Sequence, residues 1–202
     1  MGPAVVQALR GAGYEVTALT EPSREALVSE ARKALLGRPD GLVVVGGDGM
    51  VHLGANLVAG TTVPLGIVPS GTGNDTARAL GIPHNNTERA IRTSNRRRPV
   101  CSSRPARVLG GGMKITPDAL IDDGMLDVLV VEHLTRVQFL CIFPRVFNGT
   151  HLTDPRVTVR RAKRITIDAD AVAAYADGER VGPLPIEIEV VLGALRVLAP
   201  LP

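Results

Sequence analysis

The sequence predicts two domains of different class, both incomplete: an α/β domain with a parallel sheet over residues 1–98 and a β-rich, sandwich-type domain over residues 106–202. Three observations carry this expectation. Helix and strand patterns alternate through the first half, two glycine-rich loops each follow a short apolar strand, and the second half shifts to strand patterns with turn residues between them.

The elements follow in order. Pro3 to Arg10 reads as a helix, Gly11 and Gly13 end it, and Tyr14 to Leu19 reads as a strand. Ser23 is placed to cap a helix on which Ala26, Leu27, Ala31, Ala34 and Leu35 recur at helical spacing, with Gly37 and Pro39 as its stop. Leu42 to Val45 is a short apolar strand of the kind buried on both faces of a parallel sheet. A helix over Val51 to Ala59, a strand at Leu65 to Val68 and a short helix from Thr76 to Leu80 follow, closed by Gly81 and Pro83. The chain opens on a helix where a βαβ unit opens on a strand, which leads to the expectation of a missing strand. Arg96, Arg97, Arg98 and Pro99 lead through Cys101 into an aperiodic junction, read as a solvated linker rather than a phosphate patch.

Beyond Lys114 the strand candidates are Met125 to Val131, Val157 to Ile167, Val172 to Tyr175, Ile186 to Val190 and Leu195 to Leu198, with one helix between Thr135 and Phe147. Hydrophobic residues make up 45% of the 202, enough to bury a core, but aromatic residues are only 2% and Trp is absent. That excludes stacking platforms for nucleic-acid bases. The formal charge is +3, and 20 of the 23 basic residues are arginine. Arginine excess suits phosphate and anionic surfaces, and a GC-rich coding bias accounts for it equally well. Cys101 and Cys141 make neither a disulfide framework nor a CxxC site, so a reducing cytoplasm is the expected compartment. No apolar run reaches the length of a spanning helix.

Two loops carry candidate chemistry. Gly46-Gly47-Asp48-Gly49 joins a strand to a helix, where glycines let a phosphate approach main-chain N–H groups at the helix N-terminus. Asp48 repels phosphate, so its work is through a cation, a water or a hydrogen bond that fixes the loop. An ordinary glycine-rich turn explains GGDG as well. The second loop, Ser70-Gly71-Thr72-Gly73-Asn74-Asp75, follows the next strand; Thr72 can donate to a phosphate or ribose oxygen, and Asn74 and Asp75 are read as helix caps. Asp122-Asp123-Gly124 reads as a turn ahead of a strand and Asp177-Gly178 as a hairpin turn. The histidines show no zinc spacing; His52 lies in the first loop's helix, and His84, His133 and His151 are read as surface or packing residues.

The order GGDGMVH, then PLGIVPSGTGNDTARALGIP, then Gly110-Gly111-Gly112-Met113, PDALIDDGMLDV and YADGE resembles the diacylglycerol-kinase-type lipid kinases, a group that includes sphingosine kinases and is more distantly similar to NAD kinases. The resemblance implies a fold like that of NAD and diacylglycerol kinases, and transfer of the γ-phosphate of ATP, with Mg²⁺, to a lipid hydroxyl such as that of diacylglycerol. It implies nucleotide contacts at Thr20, Gly46, Gly47, Asp48, Gly49, Met50, Val51, His52, Leu53, Gly71, Thr72 and Gly73. It further implies a structural Mg²⁺ at Leu120, Asp123 and Met125, and a catalytic base at Glu179 with Asp177 beside it. A lipid acceptor at the membrane surface, peripheral contact with the inner face, no nucleic-acid partner and compatibility with a homodimer follow. Met50 stands where the family more commonly has Thr, and Leu53 where it has a polar residue. The family's long segment between the equivalents of Val100 and Arg107 is short here, which implies reduced activity. Two alternatives remain at this stage: a non-catalytic nucleotide-binding remnant, and an NAD-kinase-like enzyme acting on a soluble acceptor.

Overall fold

The computed structural model describes residues 2–83, 89–90 and 112–200. The junction around Cys101, the arginine run Arg96–Arg98, His84, Gly110 and Gly111 lie outside the described residues. The chain forms two compact units, Met1–Arg104 together with Gly193–Pro202, and Pro105–Leu192.

The first unit is built on a three-stranded parallel sheet in the order β1 (Leu42–Gly46), β2 (Leu65–Pro69), β9 (Val197–Leu198). β2 is central and buried along its whole length, with Leu65 at 0%, Ile67 at 1% and Val68 at 0% exposure. Each such side chain contributes about 1.5–3 kcal/mol relative to leaving it in water. β1 lies at an edge and buries fully only Val44, so the two-sided burial expected of Leu42–Val45 belongs to β2 instead. Helices α1 (Gly2–Gly11), α2 (Arg24–Leu36), α3 (Asp48–Val58) and α4 (Asp75–Ala79) belong to the unit. Val5 and Leu9 of α1 and Val51 and Val58 of α3 join the sheet residues in one core. Ser23 caps α2 as its spacing predicts, its Oγ accepting the Ala26 N–H at 3.2 Å.

Three expectations change here. Tyr14 to Leu19 belongs to no sheet; Tyr14 and Val16 still pack on the core, while the carbonyl of Val16 accepts from the Arg10 guanidinium at 2.9 Å rather than from a ladder partner. α3 begins at Asp48, three residues before the predicted start, so the second half of GGDG is already helix. The tail from Gly193 joins the first unit rather than the β-rich one, because Leu65 and Gly66 pair with Val197 and Leu198 and the Leu65 N–H donates to the Arg196 carbonyl at 2.8 Å.

The second unit pairs its strands antiparallel: β3 (Leu126–Val131) with β4 (Val157–Ala162), β5 (Arg164–Ile167) with β8 (Ile186–Glu189), and β6 (Ala173–Ala176) with β7 (Glu179–Pro183). The run Val157–Ile167 is two strands, broken at a bend at Lys163. The helix α5 (Arg136–Ile142) opens with a capping box between Thr135 and Gln138, and two 3-10 turns follow, Phe143–Phe147 and Thr150–Thr153. Pro144, at the start of the first turn, has no N–H to continue an α-helical ladder. Among the described residues no helix is long and apolar enough to cross a membrane.

Candidate functional site

Both glycine loops leave the same edge of the sheet. β1 and β2 are parallel with Gly46 opposite Pro69, so the loops that follow emerge side by side at the carboxyl ends of the strands, where open α/β sheets receive ligands. The Ser70 N–H donates to the Gly46 carbonyl at 2.9 Å and carries the pairing into the loops. The loops then meet backbone to backbone. A Cβ on Gly71 would stand 2.5 Å from the Cα and 2.9 Å from the N of Gly47, and one on Gly47 would stand 3.2 Å from the Cα of Gly71. A side chain at Gly71 would part the loops, and one at Gly47 would require the facing backbone to give by a few tenths of an ångström. At Gly46 a Cβ would lie 2.5 Å from the Cγ of Met50, so this glycine lets Met50 fold back over the strand end.

Asp48 joins the two loops. Its Oδ2 accepts the N–H of Asp75 and its Oδ1 the N–H of Thr76, each at 3.0 Å, so a residue 27 positions away caps α4. Burial by itself would raise the Asp48 carboxyl, but the N–H groups of Thr76 and Asp75, the Thr76 hydroxyl and the nearby Arg78 guanidinium outweigh it and hold the group below the usual carboxylate range. Of the three roles open to Asp48 from sequence, the structure displays the hydrogen bond that fixes the loop. The caps expected of Asn74 and Asp75 are corrected accordingly. Asn74 sits left-handed at φ 56° and turns back on Gly71, its Oδ1 accepting the Gly71 N–H at 3.1 Å, while Asp75 accepts from Arg78 at 2.6 Å.

The arrangement leaves Gly49 and Thr72 exposed near the start of α3; the Gly47 carbonyl takes the N–H groups of Met50 and Val51 at 3.0 and 3.2 Å, which leaves those of Asp48 and Gly49, at the positive end of the helix, to favour an anion. Gly73 passes so close that a Cβ there would come within 2.7 Å of the Asp48 Oδ2. Met50 and His52 are half-buried on α3. The side chains of Val51 and Leu53, each 7% exposed, are buried. Thr20 is exposed on the segment after α1, with no hydrogen bond to either loop among the described residues. A concavity of about 720 Å³ along the outer face of α2 is lined by that helix alone and touches neither loop.

In the second unit, Asp177 and Gly178 form the β6–β7 hairpin turn with φ values of 50° and 81°, and Glu179 is the exposed first residue of β7, opposite Ala176. Two successive residues at positive φ match the twist of the strands they join. Asp123 closes its own turn, its Oδ1 accepting the Met125 N–H at 3.0 Å, while its Oδ2 accepts from the Arg161 guanidinium, which also reaches Asp127 at 3.4 Å. Both oxygens of Asp123 therefore face donors, and no group of three or more metal-ligating side chains exists among the described residues. The resemblance placed Asp123 with main-chain oxygens of Leu120 and Met125 around a Mg²⁺; in this structure the Arg161 guanidinium supplies the positive charge at that carboxylate.

His151, read from sequence as a surface or packing residue, is a packing residue. It is 1% exposed, its Nε2 lies 2.9 Å from the Ile115 carbonyl, and its Nδ1 is buried with no hydrogen-bond partner among the described residues. With the Lys114 N–H donating to the Val146 carbonyl at 3.0 Å, it fastens the stretch that leads into the Asp123 turn.

An α/β unit that joins two glycine loops at its strand ends, with a β-rich unit in the second half of the chain, is the two-part arrangement to which the sequence motifs pointed. Residues 2–101 match the family described as the diacylglycerol kinase catalytic domain, and residues 99–199 match the YegS C-terminal NAD kinase beta sandwich-like domain. The chain belongs to the diacylglycerol-kinase-type lipid kinase family. It is 29% identical to a diacylglycerol kinase of Mycobacterium tuberculosis, over 80% of this chain and 77% of that one. It is 23% identical to a diacylglycerol kinase of Bacillus subtilis, over 97% of this chain and 89% of that one. The fold is similar to the crystal structure of a diacylglycerol kinase from Bacillus anthracis, with a TM-score of 0.77 at 18% identity, covering 98% of this chain and 91% of that one. The match to the B. subtilis relative spans 271 residues, more than the 202 of this chain, so that relative carries residues this chain lacks.

Proposed function

We propose that this kinase-family chain transfers the γ-phosphate of ATP, supplied as Mg-ATP, to a lipid hydroxyl such as that of diacylglycerol, giving phosphatidic acid and ADP. The observation that carries the reading is the junction of the two glycine loops under Asp48, which presents the α3 N-terminus, Gly49 and Thr72 on one open edge. Phosphoryl transfer asks mainly for positioning and charge neutralisation, and rigid main-chain donors supply both. In the proposed step the lipid hydroxyl oxygen bonds to the γ-phosphorus, the bond to the β–γ bridging oxygen breaks, and ADP leaves with that electron pair. Glu179, exposed at the head of β7, accepts the hydroxyl proton; this role rests on the resemblance of YADGE to the family pattern.

The test is transfer from labelled ATP to diacylglycerol in mixed micelles. Glu179→Gln is expected to remove transfer while sparing ATP affinity. Equal loss of both would make Glu179 structural. A second reading, nucleotide binding without turnover, is favoured by the shorter length of this chain against its B. subtilis relative; ATP binding with no labelled lipid from the purified chain would establish it.

A further inference from the structure

All three phenylalanines of the sequence, Phe139, Phe143 and Phe147, fall in one stretch of the β-rich unit, from α5 into the first 3-10 turn. Their rings form a row, Phe139 stacked on Phe143 at 5.3 Å and Phe143 edge-on to Phe147 at 6.1 Å. The row faces outward. Phe139 is 51% exposed, Val137 71% and Leu140 69%, and α5 fully buries only Ile142. A helix that is apolar on nearly every side belongs inside a core or against lipid, and this one is outside the core. A groove of about 440 Å³ runs beside it, lined by Leu134, Arg136, Phe139 and Leu140.

Charge selects the occupant. Between Pro105 and Leu192 the sequence carries twelve carboxylates against ten lysines and arginines, yet from His133 to Thr153 it has two arginines and no carboxylate. Negative charge is absent from the one stretch that exposes the aromatic row. Arg145 is held by Thr153 at 2.6 Å and by Asp154 at 3.7 Å, whereas Arg136 makes no ion pair among the described residues and borders the groove. A standard protein interface draws on about 20–30 residues a side, and this stretch, a seven-residue helix and a five-residue turn, is smaller than that.

We infer that α5 and the 3-10 turn after it seat the β-rich unit on an anionic lipid bilayer, with Val137, Phe139 and Leu140 entering the interface and Arg136 meeting headgroup phosphates. Apolar side chains flanked by arginine on a short helix are the composition of an interfacial element. The inference rests on the lipid-kinase reading, since a membrane-borne acceptor is what such a seat would serve.

The experiment is flotation of the full chain with phosphatidylcholine vesicles containing phosphatidylglycerol, against phosphatidylcholine alone. The chain is expected to float with the anionic vesicles, and less so as salt rises. Leu140→Glu, at an exposed position, is expected to lower the bound fraction about ten-fold or more. Arg136→Gln is expected to lower it about five-fold and to flatten the salt dependence. Failure of the unaltered chain to float, or flotation of Leu140→Glu equal to it, overturns the inference. So does a dimer, seen by sedimentation, that Leu140→Glu splits without changing vesicle binding. Transfer to a short-chain diacylglycerol dissolved without vesicles reports on the kinase reading separately, and Leu140→Glu is expected to leave it unchanged.

Discussion

Replacing Asp48 tests the assembly of the nucleotide edge most directly. Its carboxylate accepts two main-chain N–H groups, those of Asp75 and Thr76, both at 3.0 Å. Removing a helix cap costs about 0.5–2 kcal/mol and a hydrogen bond to a charged group is worth about 1.5–3 kcal/mol, and because Asp48 is only half-buried water recovers part of the loss. Asp48→Ala is therefore expected to cost about 2 kcal/mol. Asp48→Asn keeps one acceptor oxygen and should cost about half as much. Urea unfolding followed by circular dichroism gives the stability, and titration with ATP gives the affinity, which should fall in the same order, Ala below Asn below Asp. The effect should fade in acid. The carboxyl is held below its ordinary range, so its contribution is complete above that range and lost as pH falls through the lowered value. Asp48→Ala with unchanged urea stability would refute the capping role, and weakened ATP binding at full stability would instead make Asp48 a direct ligand of the nucleotide or its metal.

Other outcomes follow from the same geometry. Gly71→Ala, whose Cβ would stand 2.5 Å from the Gly47 Cα, should part the loops, lower ATP affinity at least about ten-fold and cost about 1–3 kcal/mol of stability; unchanged affinity by calorimetry would show that the loops do not act together. Because Arg161 already neutralises Asp123, adding Mg²⁺ or a chelator should leave the thermal midpoint of the nucleotide-free chain unchanged, and Mg²⁺ should raise it only in Arg161→Ala; a rise in the unaltered chain would restore the metal at Asp123. Asp154 is held at about 2 by the side chain and N–H of Arg156, so its stabilisation is present above the ordinary carboxylate value of 3.8 and lost as pH falls from there toward 2. Acid unfolding of Asp154→Asn should show a shallower decline over that interval, and identical curves would discount the pair.

Sequence by itself determined the two-part order of the chain, because hydrophobic periodicity and glycine placement are local and survive without knowledge of contacts. Ser23 and the Asp177-Gly178 turn each act within a few residues, and each does in the structure what its neighbours demand. The resemblance of the paired motifs carried the family. What only the tertiary structure decided is what joins distant parts. That Asp48 caps α4, that Gly47 and Gly71 touch, that the Val197 strand returns beside Leu65, and that Arg161 occupies Asp123 are pairings across 24 to 132 positions. No local pattern encodes them. A carboxylate reads the same whether it faces a cation, a helix N-terminus or an arginine, and only the packing of the sheet brings one of these within hydrogen-bond reach.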